Sequence, residues 1–156
     1  ADLSRGAATS ASFSFAACLA LQPALALACG PPPIFDGGPE SGVSVSVGRV
    51  TGVIWVPLEI DGVPVPEGAG LSLQVSFDGK VEGTTGCNRF TGTADLDAGW
   101  MQFSPLAVTE MACLDPERMA REAAWLKALA DARGFVASPE GMWLRREDGS
   151  VAACLW

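Results

Sequence analysis

The chain divides by pattern before it divides by composition. Residues 13–28 form a nearly unbroken apolar stretch, FSFAACLALQPALALA, interrupted by Ser14, Gln22 and Pro23. Residues 30–42, GPPPIFDGGPESG, carry no hydrophobic period. Beyond them apolar and polar positions alternate, the mark of strands with one wet face. The alternation predicts strands over 43–47 (VSVSV) and over 71–77, the latter with Leu71, Leu73, Val75 and Phe77 inward. Between them an apolar run over 53–60, anchored by Trp55 and Leu58, contains Pro57 and reads as an edge or bulged strand. Asp78-Gly79 signals a hairpin that returns through 80–84 into a glycine-rich bend. Strands over 90–96 and 100–104 flank Asp97-Ala98-Gly99. A helical period appears only after residue 115. Asp115 is a good N-cap, Pro116 suits the first turn, and Met119, Ala123, Leu126 and Ala130 recur at helical spacing, with Trp125 and Leu129 widening the face. Gly134 is the expected stop, and strands over 135–138, 143–146 and 151–156 complete the chain.

The apolar stretch at 13–28 is shorter than the roughly 20 residues a spanning helix needs. It follows Arg5 and ends in Ala26-Leu27-Ala28, a small-x-small cleavage pattern, so 1–28 reads as a signal peptide-like segment. A buried core helix is the alternative, against which stand Pro23 and the Pro/Gly-rich stretch that follows. Cys29 comes directly after the pattern and resembles the acylated cysteine of a bacterial lipobox, although Ala26 stands where Leu is usual. Lipidation of Cys29 is therefore expected, with simple cleavage before an unmodified Cys29 as the alternative. Residues 29–42 then form a Pro/Gly-rich tether, and 43–156 form one folded domain.

Composition narrows the function. Ten Lys and Arg against 18 Asp and Glu give a net charge of −8, which disfavours nucleic acid, whose phosphates demand clustered cations. There is no histidine, so the commonest general base and the commonest metal ligand are both missing. No C-x-x-C pair or EF-hand pattern occurs. Asp95/Asp97 and Glu147/Asp148 fall at expected hairpin tips, where charges are usually solvated. No catalytic residue, metal ligand or cofactor is assigned.

The bend at 83–92, GTTGCNRFTG, is answered downstream by TEMAC at 109–113. The fold is expected to close around these two segments, with Cys87 and Cys113 joined in a disulfide. The alternatives are buried free thiols, or pairing of one of them with Cys154. Cys154 itself is expected to be buried and unpaired, or joined to Cys29 if Cys29 is not acylated. Asn88 and Arg89, beside the bend, are the candidates for partner contact, although Asn88 also suits a turn residue bonded to local backbone.

From Trp55 to Trp156 the chain resembles the META domain, the HslJ-like family of heat-inducible bacterial lipoproteins. The likeness rests on Trp55 and Leu58, Phe77-Asp78-Gly79, V-x-G-x-x-GCN-x-F-x-G from Val81 to Gly92, T-x-MAC from Thr109 to Cys113, and L-x-x-x-D-G from Leu144 to Gly149. A Tyr usual after the bend is replaced by Thr93-Ala94. The resemblance implies an α+β fold: a strongly curved antiparallel sheet, cracked-barrel-like, packed with one helix. It also implies a non-catalytic protein of the bacterial cell envelope linked to stress response or drug tolerance. With Gly30 after the cysteine, the expected site is the periplasmic side, anchored in the outer membrane by lipid as a monomer. An unknown envelope protein is the expected partner; the alternative is an apolar ligand carried within the curved sheet, with the aromatic residues as its lining.

Overall fold

The computed structural model describes residues 29–32 and 47–156. The signal peptide-like segment, most of the tether, and residues 43–46 of the expected first strand lie outside them. Val47, the last residue of that strand, instead starts a short 3₁₀ turn, Val47–Arg49.

The strands are β1 (Ile54–Trp55), β2 (Pro57–Ile60), β3 (Val63–Pro64), β4 (Leu71–Val75), β5 (Lys80–Thr85), β6 (Arg89–Asp97), β7 (Trp100–Phe103), β8 (Ala107–Val108), β9 (Gly134–Ser138), β10 (Gly141–Arg145) and β11 (Val151–Leu155). One helix, α1 (Pro116–Asp131), separates β8 from β9. The strands form a single sheet in the order β1-β4-β5-β6-β7-β9-β10-β11-β2-β3, with β8 beside β6 and every pairing antiparallel. The expected α+β fold with a strongly curved sheet is therefore present.

The curl follows from one segment with two partners. Ile54 and Trp55 pair with Gln74 and Leu73 of β4, whereas Pro57–Ile60 pairs with β11. Between them Val56 and Trp156 exchange backbone hydrogen bonds of 2.8 and 2.9 Å. Residues 54–60 thus join the two ends of the sheet. Pro57 cannot donate to the ladder, and the register shifts opposite it, between Cys154 and Leu155. A bulge of this kind raises local twist, which helps the strand change partners.

Inward side chains of both halves meet under α1. Leu73, Val75, Val81, Phe90, Met101, Leu144 and Leu155 line the concave face, and Trp125, Ala128 and Leu129 of the helix fill it. The helix buries part of the expected face: Trp125 and Leu129 are buried and Leu126 packs against the core, but the rest of that face is not used. Met119, Ala123 and Ala130 are exposed, and the buried row runs through Trp125, Ala128, Leu129 and the capping residue Ala132. Burying the largest aromatic surface decides the rotation, since an indole removes far more apolar area than Met or Ala. Asp115 caps the start as expected, accepting from Glu117 N–H at 2.9 Å. Gly134 does not stop the helix; Ala132 caps it, and Arg133 Nη1 donates to Ala130 O and Ala132 O.

Phe77 is a second departure: it is 82% exposed, because β4 ends at Val75 and residues 76–79 form the turn. Ser76 N–H bonds to Lys80 O, and Gly79 N–H returns to Ser76 O. The period-two pattern ran two residues past the end of its strand.

Candidate functional site

The glycine-rich bend joins β5 to β6 and is built from its own hydrogen bonds. Thr85 N–H donates to Asn88 O at 2.8 Å, and Asn88 N–H donates to Thr85 Oγ1 at 2.9 Å. Gly86 takes φ +86°, and a Cβ there would sit 2.4 Å from Ala69 O, so only glycine fits. The bend places Cys87 and Asn88 against the TEMAC segment. Cys87 and Cys113 form a disulfide with Cα atoms 6.1 Å apart, the pairing expected from the two motifs.

Asn88 is the hub of this corner. Its Oδ1 accepts from Met111 N–H at 2.7 Å and from Thr109 Oγ1 at 2.9 Å. Its Nδ2 donates to Met111 O at 3.4 Å and to the Glu122 carboxylate at 3.0 and 3.1 Å. The Thr85 hydroxyl donates to the same carboxylate. Thr109 then accepts from Arg89 N–H and bonds back to Arg89 O through its own N–H. Asn88 is only 5% exposed and has no capacity left for a partner. Its assignment as a partner contact is corrected: it fixes the corner from inside. Arg89 is exposed and borders a groove of about 360 Å³ on the outer face of β4–β6, lined also by Ile54, Gln74, Glu82 and Thr91.

Glu122 was not foreseen as part of the site. It stands on α1 three residues before Trp125 and seven before Leu129, at the head of the buried row. A carboxylate in line with Trp125 and Leu129 was the available signal, hidden because the expected face also ran through Met119 and Ala123. Its half-buried carboxylate lies with both sulfurs in a cluster whose donor atoms are all within 4.8 Å of one another.

The corner also displays apolar side chains. Met111 is 65% exposed, Leu114 is 95% exposed, and Met119, on the first turn of α1, is 55% exposed. Met111 is pinned through both backbone atoms by Asn88, and Leu114 follows the bridged Cys113.

Cys29 takes a different part. Its sulfur is bonded to Cys154, with Cα atoms 6.2 Å apart. Val136, Trp143 and Cys154 form a small cluster separate from the main core, and Cys29 and Val151 pack on it. Trp143 Nε1–H donates to Gly30 O at 3.1 Å, tying the strap to β10. The Cys29 sulfur is thus engaged in the bridge named as the alternative to lipidation, and in that state it carries no thioether. The structure takes the alternative pairing, with Cys154 bridged instead of free.

Of the acidic pairs, Glu147 and Asp148 lie in a turn and Asp97 ends β6 at one, whereas Asp95 lies within β6 opposite Gln102. Asp97 Oδ1 accepts from Ala98 N–H at 2.7 Å. Asp148 Oδ1 accepts from the Ser150 hydroxyl at 2.6 Å and from Ser150 N–H at 2.9 Å. The Ser150 hydroxyl, then its amide, hold the Asp148 carboxyl below its ordinary pKa, the opposite of what a general acid requires.

A small curled antiparallel sheet, filled by one helix and stapled at a GCN bend, defines the class of domain. The META domain model matches residues 49–155, and the chain belongs to the META domain family. No match was found among curated proteins. Three solved structures share the fold, each over 69% of this chain. One, an NMR structure of a protein from Burkholderia xenovorans, is 29% identical, with 83% of its chain covered and a TM-score of 0.55. A second NMR structure is 18% identical, with 91% covered and a TM-score of 0.56. The third, a crystal structure of a DUF4847 family protein from Bacteroides vulgatus, is 12% identical, with 94% covered and a TM-score of 0.52.

Proposed function

We propose that this META-domain protein is a non-catalytic, monomeric component of the bacterial cell envelope, acting on the periplasmic side by binding another envelope protein in stress response or drug tolerance. The observation that carries this reading is the exposed apolar knuckle of Met111, Leu114 and Met119. Isolated exposed apolar residues need no explanation, but three large ones within nine residues, on backbone fixed by Asn88 and a disulfide, form a pre-ordered contact. The two disulfides support an oxidising compartment. The interior supports interaction over carriage of an apolar ligand, since Trp125, Phe90, Phe135 and Leu129 occupy the space within the curved sheet. The chemistry supports absence of turnover: the chain has no histidine, and Asp97 and Asp148 are engaged by turn donors, so neither is set up as a base to activate a nucleophile.

The test is site-specific photocrosslinking in the producing cell, with the crosslinker at position 114 and, as control, at position 80 on the distant β4–β5 hairpin. One discrete adduct is expected from position 114 alone, lost when Met111 and Met119 are changed to Asp without a change in melting temperature. Equal adducts from both positions, or none from 114, would sink the proposal.

A further inference from the structure

We propose that the reduced corner is a binding site for a thiophilic divalent cation of the zinc type, held by Cys87 Sγ, Cys113 Sγ and the Glu122 carboxylate. Disulfide and metal complex are then alternative states of the same three side chains. The proposal stands on the structure independently of the partner-binding reading.

Three observations converge on it. The first is the cluster itself: two sulfurs and a carboxylate oxygen, brought together from the bend, the TEMAC segment and α1, all within 4.8 Å of one another. The second is the support of the carboxylate. Asn88 Nδ2 and the Thr85 hydroxyl both donate to it, which fixes its orientation as outer-shell partners of a metal ligand do. Among the described residues no Lys or Arg forms a salt bridge with Glu122, so its half-buried charge faces the two sulfurs without a cation. The third is a further oxygen: Met111 O lies 4.0 Å from Cys87 Sγ and 3.9 Å from Cys113 Sγ.

The donor set selects the ion. Magnesium and calcium require six or more oxygens, whereas two thiolates favour zinc and similar soft ions. A tetrahedral zinc takes sulfur at about 2.3 Å and carboxylate oxygen at about 2.0–2.2 Å, leaving a fourth position for water or the Met111 carbonyl. Two tetrahedral thiolates on one ion stand about 3.8 Å apart. Cysteines with Cα atoms 6.1 Å apart reach that spacing by side-chain rotation, as they reach a direct bond. Cys87 and Cys113 are half-buried, so reductant and ion both have access.

The exchange balances. A dithiol reductant gives two electrons and two protons to the Cys87–Cys113 bond and leaves as its own disulfide; a phosphine does the same with water, becoming the phosphine oxide. The divalent ion then displaces both thiol protons to solvent and binds two thiolates and Glu122. A small-molecule disulfide reverses this by exchange: it takes two electrons from the thiolates and two protons from solvent, leaves as two thiols, and the re-formed Cys87–Cys113 bond releases the ion.

Cobalt(II) is the probe, added to the full chain reduced with a phosphine. A thiolate-to-cobalt charge-transfer band with tetrahedral ligand-field bands is expected, displaced by zinc and missing from the oxidised protein. The C87S/C113S chain should lose the band although its other cysteines are also reduced. E122Q, with all cysteines intact, should weaken cobalt binding at least about tenfold. If C87S/C113S does not fold, as judged by circular dichroism, E122Q alone decides. Absence of a band in reduced wild type, persistence of the band in folded C87S/C113S, or equal affinity of E122Q and wild type would each overturn the proposal.

Discussion

Asn88 satisfies three segments with one amide: the TEMAC backbone, the Thr109 hydroxyl and the helix carboxylate Glu122. Replacing it with Ala leaves Met111 N–H and the Glu122 carboxylate short of partners at a partly buried corner. The expected loss is about 2–4 kcal/mol, since several orphaned groups each carry about 1–3 kcal/mol. Asn88→Asp keeps the shape but sets a carboxylate against Glu122, so it should also destabilise, and more at pH 7 than at pH 4. Urea unfolding of both variants at the two pH values checks this. Gly83 is the other position where a single atom matters. A Cβ there would meet Ser72 O at 2.2 Å and the Phe90 ring at 2.4 Å. Gly83→Ala should therefore cost more than the roughly 1–3 kcal/mol typical of overpacking, because one clash is with backbone in the neighbouring strand.

At the scale of elements, the helix carries the sharpest expectation. Trp125 is fully buried at the centre of the concave face. Trp125→Ala should cost about 3–5 kcal/mol. Met119→Ala, on the exposed face, should change stability by less than about 0.5 kcal/mol. Had the face read from periodicity been right, Met119 would carry a core penalty. The strands were largely legible because alternation and Asp-Gly turns act locally: Asp78-Gly79, Asp97-Ala98-Gly99 and Asp148-Gly149 each mark a real reversal. The two-residue strands β3 and β8 were not legible, since so short a segment has no period and exists only through its neighbour. The helix face was legible at Trp125, Leu126 and Leu129 but not at Met119, Ala123 and Ala130, because alanines fit either face and the choice falls to Trp125 and to where the sheet needs volume. The disulfide at the bend was legible from its motifs. Glu122 was not, because its role depends on that choice.

For the molecule as a whole, charge and sulfur close what the sheet begins. Arg146 binds Asp61 of the β2–β3 turn and lies 3.5 Å from Asp131 at the end of α1. The hydrogen bond from Lys127, then that from Arg146, hold the Asp131 carboxyl below its ordinary pKa. A depressed carboxylate stabilises the fold above its unfolded value near 3.9 and stops doing so as pH falls through the lower folded value. Stability should be level from about pH 5 to 7 and fall below about pH 4. Asp131→Asn should flatten that acid limb, measured as the urea midpoint against pH. The bridges act at every pH below the thiol range. In the chain-entropy model, closing 26 residues between Cys87 and Cys113 stabilises by about 3.5 kcal/mol, and closing 125 between Cys29 and Cys154 by about 5 kcal/mol. Either loss should lower the melting temperature by on the order of 10 °C or more.

Because Cys29 lies far upstream of the matched domain, its sulfur decides whether the chain is strapped onto its own sheet or held to a membrane. A peptide map under non-reducing conditions, on protein purified from the envelope of the producing cell, reads both bridges at once. Linked peptides joining Cys87 to Cys113 and Cys29 to Cys154 are expected, with no lipid on Cys29. A thioether-linked lipid on Cys29 with a free Cys154, or unlinked Cys87 and Cys113, would contradict the structure.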